Sequence, residues 1–545
     1  MAGELRLADG VITLREVTLA DTPLLYEWRN DPSTRSQFRD DQPLEYGSHG
    51  RFVRRCLETY PRPHWFIIST PEGPVGTICL YDFSADGKTC EFGRFIVARS
   101  HRGLGLGRRA LILLMTYAAS LGVARLCCEV LSSNEQALRL YRSLGFTATG
   151  VCDSGLREFT SMEAVLAREV KPVHLFVPKY RTDEILAEMR HSLETGWTGP
   201  GEKTASFETA WRMYTGLPHA HFVNSATAAL HLAFAILREH DGWAAGDEVI
   251  TTPFTFVSTN HTIAHAGLHP VFADIDEYLC LDPAAVEKRI STRTRAVCFV
   301  GIGGHPGRYE DVVQLCVRHG LRLILDASHM AGTRIRGEHA GHAADAAVFS
   351  FHAVKNLPTA DSGMLCFREQ ELDQEARKWS WMGINKDTYT RTSGTGPYKW
   401  KYDVEHQGFK YHGNAIMASM GLVALRYLDQ DNAYRRQLAA WYDNAVTGNS
   451  AVTRIPQRED VLPSRHLYQA LVDNRDEVMR ALNERAIYPG VHYADNTTYR
   501  MYRYALDTCP KAARASRRVI SLPMHLGLAE SDVCRVAAAL SDICS

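Results

Sequence analysis

Lys355 closes the run Val348-Phe349-Ser350-Phe351-His352-Ala353-Val354-Lys355-Asn356. Asp326 stands about thirty positions earlier, in Leu323-Ile324-Leu325-Asp326-Ala327-Ser328-His329. An amine behind a short apolar run and an acid at the end of a buried strand are the parts that pyridoxal phosphate chemistry needs. The amine forms a Schiff base, and the acid keeps the pyridine nitrogen protonated so that the ring draws electrons. An ion pair of this kind is much stronger away from water than on the surface. Singly, neither residue is specific: a lone lysine is most often a solvated charge, and a strand-end aspartate is often a helix cap.

A second chemical feature is Ile96-Val97-Ala98-Arg99-Ser100-His101-Arg102-Gly103-Leu104-Gly105-Leu106-Gly107-Arg108-Arg109. A strand ends, a glycine-rich turn follows and a helix begins. Glycines permit positive φ and close approach of a ligand. Successive amides and the helix N-terminus then face an anion such as a pyrophosphate. Alone, such a turn fits a ligand-free strand-to-helix connection equally well. It does not follow the first strand of a βαβ unit, where a dinucleotide fingerprint would sit, and it lacks GxxxxGK[ST].

These residues need elements to position them. Strands are expected over Val11–Val17, His64–Ser69, Gly76–Phe83, Glu91–Val97 and Val123–Leu131, with a turn at Pro71–Pro74. Helices are expected over Ala20–Asn30, Arg108–Leu121 and Asn134–Leu144, the last ending in Gly145. That mixture argues for an α/β unit. Near Val170 the texture changes, so domains are expected at 1–170 and 171–545. Beyond it, the apolar runs Glu248–Ile250, Ala296–Val300 and Leu321–Leu325 alternate with helical stretches such as Ala226–Glu239 and Tyr309–His319. This is the pattern of a sheet flanked by helices.

Composition bounds the function. At roughly 100–200 residues per domain, 545 residues imply about three to five folding units. Sixty-one basic against sixty-two acidic residues leave a formal net charge of −1, no basis for a nucleic-acid binder through bulk charge. Thirteen scattered cysteines, with no CxxC pair, fit reduced thiols in the cytoplasm rather than a disulfide framework or a zinc site. No metal is expected. The N-terminus lacks an apolar signal-peptide core, and no run approaches the roughly 20 apolar residues that span a bilayer.

The glycine-rich run resembles the R/Q-x-x-G-x-G/A motif of the GNAT (Gcn5-related) N-acetyltransferases, with Arg102, Gly105 and Gly107 in register. The family's second landmark follows as Asn134-Glu135-Gln136-Ala137 and Tyr141-Arg142-Ser143-Leu144-Gly145-Phe146. The resemblance covers about residues 10–168 and implies acetyl-CoA as donor. The amides of Gly103–Arg108 (Gly103, Gly105, Gly107 and Arg108 among them) would hold its pyrophosphate. Backbone groups near Val97 would bind the pantetheine arm, Asn134 would contact the cofactor, and Tyr141 would protonate the leaving thiolate. Glu91 is a candidate base. The run Glu27-Trp28-Arg29-Asn30-Asp31 is similar to GNAT enzymes that acetylate amino groups on nucleotide sugars; it also reads as a polar helix end.

The second half resembles the DegT/DnrJ/EryC1/StrS aminotransferases, which have the type I fold of PLP enzymes: a large α/β domain and a smaller α+β domain. The resemblance runs from about Leu175 to Leu540. It rests on Gly196-Trp197-Thr198-Gly199-Pro200-Gly201, on Asn224-Ser225-Ala226-Thr227-Ala228-Ala229, on Thr252-Pro253-Phe254-Thr255-Phe256, and on Gly408-Phe409-Lys410-Tyr411-His412-Gly413-Asn414. Val491-His492-Tyr493 and Ser521-Leu522-Pro523 match later landmarks. By resemblance, Lys355 is the Schiff-base lysine and proton shuttle, and Asp326 pairs with the pyridine nitrogen. His329 lies near the ring oxygen, and Phe256 stacks on the ring. Ser350, Thr227 and Ala228 bind phosphate, and His412 lies on a segment that reaches the neighbouring subunit's site in a homodimer. The chain departs from the pattern at Asp361-Ser362-Gly363, where Glu-Gly-Gly is usual, and at His412 and Gly413. Those changes touch substrate and neighbour contacts.

Together the resemblances imply a bifunctional enzyme of amino-sugar biosynthesis. One half would aminate a keto group on a nucleotide-linked deoxysugar, with glutamate as the expected donor. The other would acetylate the new amine. The alternatives are a cyclitol or antibiotic precursor as substrate, or a PLP-fold regulator or scaffold with one silent half.

Overall fold

A computed structural model describes residues 6–59, 63–153, 157–166, 171–385 and 402–544. It divides into two compact units, Met1–Lys171 and Pro172–Ser545. Val170, where the sequence reading puts the boundary, lies outside the described residues. Two units replace the three to five that length alone suggests, because the second unit builds several layers into one body.

In the first unit one sheet is formed by β1 (Arg6–Ala8), β2 (Thr13–Glu16), β3 (His64–Thr70), β4 (Gly73–Tyr81), β5 (Thr89–Val97), β6 (Arg125–Leu131), β7 (Thr147–Asp153) and β8 (Glu158–Val165). The order is β1-β2-β3-β4-β5-β6-β8-β7. Neighbours are antiparallel except β5 and β6. The helices are α1 (Thr22–Asn30), α2 (Pro32–Arg35), α3 (Tyr46–Glu58), α4 (Leu106–Ser120) and α5 (Glu135–Arg142). Helix α4 buries Leu106, Ala110, Leu111, Leu114 and Ala118 in one core, the i, i+4 stripe of an amphipathic helix. Trp28 and Val53, from α1 and α3, join Trp65 and Ile67 of β3 in a second core.

Several expected boundaries move, each for a local reason. The turn is Pro71–Glu72 alone, and Pro74 lies inside β4, where a register shift accommodates it. Helix α4 starts at Leu106, not Arg108, because Gly105 takes a left-handed φ of 76° and serves as N-cap. The edge hairpin β7–β8 was not legible: Thr147-Ala148-Thr149-Gly150 carries little apolar alternation.

The β5–β6 pair is short. Pairing runs from Thr89–Arg125 to Glu91–Cys127 and stops, while β5 continues to Val97. The cause is a bulge. Arg94 has a φ of 47°, and the β4–β5 register shifts across Thr77 and Cys79. An extra residue bends its strand and strengthens the twist. The sheet therefore splits between β5 and β6.

The second unit is built on β9 (His221–Val223), β10 (Glu248–Thr251), β11 (His269–Phe272), β12 (Thr294–Val300), β13 (Arg322–Asp326), β14 (Ala346–Ser350) and β15 (Gly363–Phe367). Their order is β9-β15-β14-β13-β12-β10-β11. From β14 to β11 the neighbours are parallel, and β15 and β9 close one edge antiparallel. Strands buried on both faces read as continuous apolar runs, as Ala346–Phe349 does. Full burial of a side chain such as Phe349 contributes roughly 1.5–3 kcal/mol. Helices α6 (Ala226–His240) and α7 (Val257–His265) follow strand ends, and α8 (Ala415–Ala445) spans 31 residues. A smaller antiparallel sheet of Val452–Arg454, Tyr468–Val472 and Val519–Leu522 has its own core. All thirteen cysteines are free thiols. Among the described residues no helix is long and apolar enough to cross a membrane, and no cluster of ligand side chains could hold a metal.

Candidate active sites

In the second unit a cavity of about 710 Å³ opens at the carboxyl ends of the parallel strands, where open α/β sheets bind ligands. Strand β13 delivers Asp326 as its last residue, and β14 delivers Ser350 as its last. The turn after β14 brings Lys355 to the same space, with Thr227, Phe256 and His329.

Asp326 is held as an acceptor on both oxygens. Ser328 donates its amide (3.1 Å) and hydroxyl (2.5 Å) to Oδ1, and Thr259 donates its hydroxyl to Oδ2 at 2.8 Å. The Lys355 amine has no ion-pair partner among the described residues, and burial pushes its pKa down to about 8, against the pull of Asp326. A useful fraction is then neutral near physiological pH, as an amine that captures a carbonyl must be. Burial also drives His329 well below its ordinary value, helped by the positive Lys355. Its Nδ1 accepts the Gly303 amide at 3.2 Å, so Nε2 carries the proton, 3.2 Å from the Tyr493 hydroxyl.

Phe256 is 55% exposed, although apolar, and its ring faces the cavity. Such a ring can stack on a planar ligand. Ser225 caps α6 by accepting the Ala228 amide at 3.1 Å. That corrects the expectation for Ala228: its amide is taken, its side chain is buried, and Ala226 and Thr227 line the cavity instead. Gly363 lets β15 press against this turn; a Cβ there would come within 2.7 Å of the Ala226 nitrogen. His412 is not in this cavity. Its ring lies 4.3 Å from Trp381, its Nδ1 donates to the Gly413 carbonyl at 2.8 Å, and its backbone bridges to Val223. Sequence reasoning gave no role to Thr259, Ser328 or Tyr493. Ser328 and Tyr493 stood in quoted runs, and Thr259 in none.

An oriented acid, a partly neutral amine, an exposed aromatic face and a helix N-terminus beside two hydroxyls suit a planar, anionic, pyridine-bearing cofactor. The residues present fit pyridoxal phosphate.

The first unit has its own cavity of about 400 Å³, lined by Val97, Gly103, Gly105, Gly107, Asn134 and Tyr141 among others. It sits at the split between β5 and β6. Helix α4 begins there without a side-chain cap, so the amides of its first turn have no intrahelical acceptor. Gly103 and Gly105 hold φ values of 82° and 76°, which favour glycine. Gly107 has a different reason. It is helical, and a Cβ would meet the Phe95 ring at 3.3 Å.

Arg102 does not turn its side chain to the cavity's anion side. Its Nε donates to the Val97 carbonyl (2.9 Å), and its two Nη atoms to Ser33 Oγ (2.9 Å) and Thr34 Oγ1 (2.6 Å). The Val97 carbonyl thus already accepts one hydrogen bond and keeps a second lone pair. Asn134 spends its Oδ1 on capping α5, accepting the Ala137 amide at 3.1 Å. Arg108 donates to Ser143 Oγ at 2.6 Å. Tyr141 packs edge-on against Phe92, and burial pushes its phenol pKa up, so it stays protonated. Glu91 is outside this cavity; burial and the neighbouring Asp82 and Glu129 carboxylates raise its pKa. In the run Glu27–Asp31, Trp28 is core, Asn30 clamps the Leu44 backbone through both amide atoms, and Asp31 caps α2.

An open α/β sheet with its cavity at the carboxyl strand ends in one unit, and a split sheet with a cavity at a helix N-terminus in the other, define a two-part α/β protein with two candidate ligand sites. Comparison with known proteins gives each part a family. The DegT/DnrJ/EryC1/StrS aminotransferase family matches residues 179–541, and the acetyltransferase (GNAT) domain matches residues 12–147. The chain belongs to the DegT/DnrJ/EryC1/StrS aminotransferase family and carries a GNAT acetyltransferase domain ahead of it. It is 35% identical over 372 residues to the spore coat polysaccharide biosynthesis protein SpsC of Bacillus subtilis, which covers 66% of this chain and 94% of that protein. Among solved structures it resembles PseC of Helicobacter pylori, an aminotransferase involved in the biosynthesis of pseudoaminic acid. That match has 28% identity and a TM-score of 0.63, and covers 68% of this chain and 99% of that one. It also resembles the sugar aminotransferase CalS13 of Micromonospora echinospora, with 27% identity, a TM-score of 0.63, and coverage of 68% and 99%.

Proposed function

We propose that the chain is a bifunctional enzyme that makes an acetamido sugar. Its second unit transfers an amino group to a keto group on a nucleotide-linked deoxysugar, with glutamate as donor. Its first unit acetylates the resulting amine from acetyl-CoA. One observation carries the reading: a single chain joins a lysine–aspartate cavity suited to making a primary amine to a helix-N-terminal cavity suited to a donor that consumes one. The likeness to a sugar aminotransferase and to proteins of polysaccharide and pseudoaminic acid biosynthesis supports a sugar as substrate.

Bound pyridoxal phosphate would supply an electron sink. Lys355 would hold the cofactor's carbonyl carbon and move a proton at the substrate carbon. Asp326, fixed by Thr259 and Ser328, would keep the pyridine nitrogen protonated. Phe256 would stack on the ring and shield it from water. Thr227, Ser350 and the α6 N-terminus would bind the phosphate. The neutral His329–Tyr493 pair would border the ring substituents. In the first unit, the α4 amides would bind the acetyl-CoA pyrophosphate and Tyr141 would give its proton to the departing sulfur. A sugar amine is less basic than lysine, so water suffices to carry its proton away.

The test is to incubate the full chain with nucleotide-linked 3-keto and 4-keto sugars and glutamate, then add acetyl-CoA, reading each product by mass. An amine product followed by its acetylated form is expected. Formation of neither from any sugar, by protein that retains pyridoxal phosphate, would overturn the substrate assignment.

A further inference from the structure

Lys355 is the catalytic amine in the reading above, and what holds it lies elsewhere in the chain. The residue after it, Asn356, is 4% exposed and fully used. Its Nδ2 donates to Asn432 Oδ1 on α8 (2.7 Å) and to the Ser464 carbonyl (2.8 Å). Its Oδ1 faces His466 Nδ1 at 3.0 Å. An amide oxygen only accepts, so His466 carries its proton on Nδ1.

His466 is 1% exposed. One face stacks on Phe176, with centroids 5.5 Å apart and planes 8° from parallel. The ring also packs against His329, with centroids 4.4 Å apart. The backbone repeats the link. The His466 amide donates to the Gly303 carbonyl at 3.0 Å, and the Gly303 amide donates to His329 Nδ1. Ser464 Oγ donates to the His329 carbonyl at 2.6 Å. Ser464 and His466 thus grip both the lysine turn and the histidine beside the cofactor space.

We propose that His466 is a positioning residue for Lys355 and His329: its Nδ1–H sets the lysine turn through Asn356, while its ring backs the His329 ring. The inference rests on Lys355 being the cofactor-linking lysine. A cationic ring would face Lys355, Arg435, His492 and His329 from the surrounding elements, and burial keeps His466 neutral. Neutrality fixes one proton, and the bond to Asn356 fixes where it is. Buried polar networks of this kind are costly to leave half satisfied. Without His466, the Asn356 amide oxygen loses its partner and the turn carrying Lys355 loses one of three ties.

The experiment uses the full chain loaded with pyridoxal phosphate. His466→Leu removes the donor at similar volume. His466→Asn keeps a donor at the Nδ1 position, and His466→Gln moves it to the Nε2 position. Expected for His466→Leu and His466→Gln are a fall in kcat of about tenfold or more, with KM for the amino donor little changed. The pH midpoint of the cofactor's visible absorbance should move by about one unit. His466→Asn should recover most of both. A double-mutant cycle with Asn356→Ala should show strong non-additivity. Folded His466→Leu with wild-type kcat and midpoint would overturn the inference alone, and so would equal impairment in the Asn and Gln variants. Should His466→Leu not fold, His466→Gln against His466→Asn decides. Wild-type chain that takes up no borohydride-trappable pyridoxal phosphate would overturn the functional reading and this inference together.

Discussion

The Arg102 guanidinium and the Asp31 carboxylate meet at one hydroxyl. Ser33 Oγ accepts from Arg102 Nη1 at 2.9 Å and donates in turn to Asp31 Oδ1. The arginine of the glycine-rich turn is therefore a strap that ties the turn to the start of α2, not a hand extended to the phosphate. Charge-assisted hydrogen bonds are about twice as strong as neutral ones. Arg102→Met should loosen the turn and raise the Kd for acetyl-CoA about tenfold, roughly 1.4 kcal/mol. Ser33→Ala should do the same more weakly. Calorimetry on the full chain checks both; an unaffected Ser33→Ala beside an impaired Arg102→Met would point to direct phosphate contact instead.

Tyr141→Phe should lower acetyl transfer while sparing affinity for acetyl-CoA. Losing a general acid costs about 10²–10⁴-fold, and thiolate is a tolerable leaving group, so the low end is expected. The phenol is buried against Phe92 and Phe146, so the substitution keeps the packing. Steady-state rates beside calorimetry separate the two effects.

Lys355→Ala should abolish transamination and leave acetylation of a supplied amino sugar largely intact. The two cavities share no residue. Equal loss of both activities in folded protein would reject the two-site reading.

Asp326→Asn should retain pyridoxal phosphate but lose most turnover, because an amide cannot hold the pyridinium proton. Thr259→Val should produce a smaller loss, since Ser328 still holds one oxygen. A Thr259→Val loss as large as that of Asp326→Asn would place Thr259 in direct contact with the cofactor.

Asp276 offers a test of stability against pH. It is buried, its Oδ2 has no hydrogen-bond partner, and burial raises its pKa to about 7, opposed by the amides of Tyr278 and Cys280. An acid raised in the folded state binds more protons than in the unfolded chain between its ordinary value of 3.8 and 7. Stability from this group is present below that window and is lost as pH rises through it. Asp276→Asn should therefore stabilise the fold at pH 8, by on the order of 1–3 kcal/mol, and bring little near pH 4. Thermal midpoints at the two pH values check the sign.

What the sequence made legible follows contiguity. Lys355 and Ser350 lie on one strand and its turn, so six consecutive residues carry their relation. Asp326 was readable because a buried strand ends in it. Thr259, His466 and Asn432 were not, because each reaches the site from a different element and their partners lie 67 to 110 positions away for Thr259 and His466. Ala228 shows the opposite error. It sits in a helix-start motif, but the N-cap Ser225 consumes the very amide that was expected to bind phosphate. Arg102 was recognised by its place in a motif, and only the geometry of Ser33 and Thr34 shows that it binds protein. In the same turn, three glycines looked alike; two answer to backbone φ and the third to the Phe95 ring.

The short seam between β5 and β6 has a further consequence, for amide hydrogen exchange. Three residue pairs join the two parts of the first unit's sheet, and beyond Glu91 the inner edge of β5 has no strand beside it. Backbone amides protected only by local structure exchange through small openings rather than global unfolding. Phe92–Val97 should then exchange faster than the equally central Phe66–Ile68, which pair on both sides. A donor whose arm lies along that edge should slow the exchange there and leave Phe66–Ile68 unchanged. Deuterium uptake of one short peptide would thus report occupancy of the cleft, with no acceptor and no turnover.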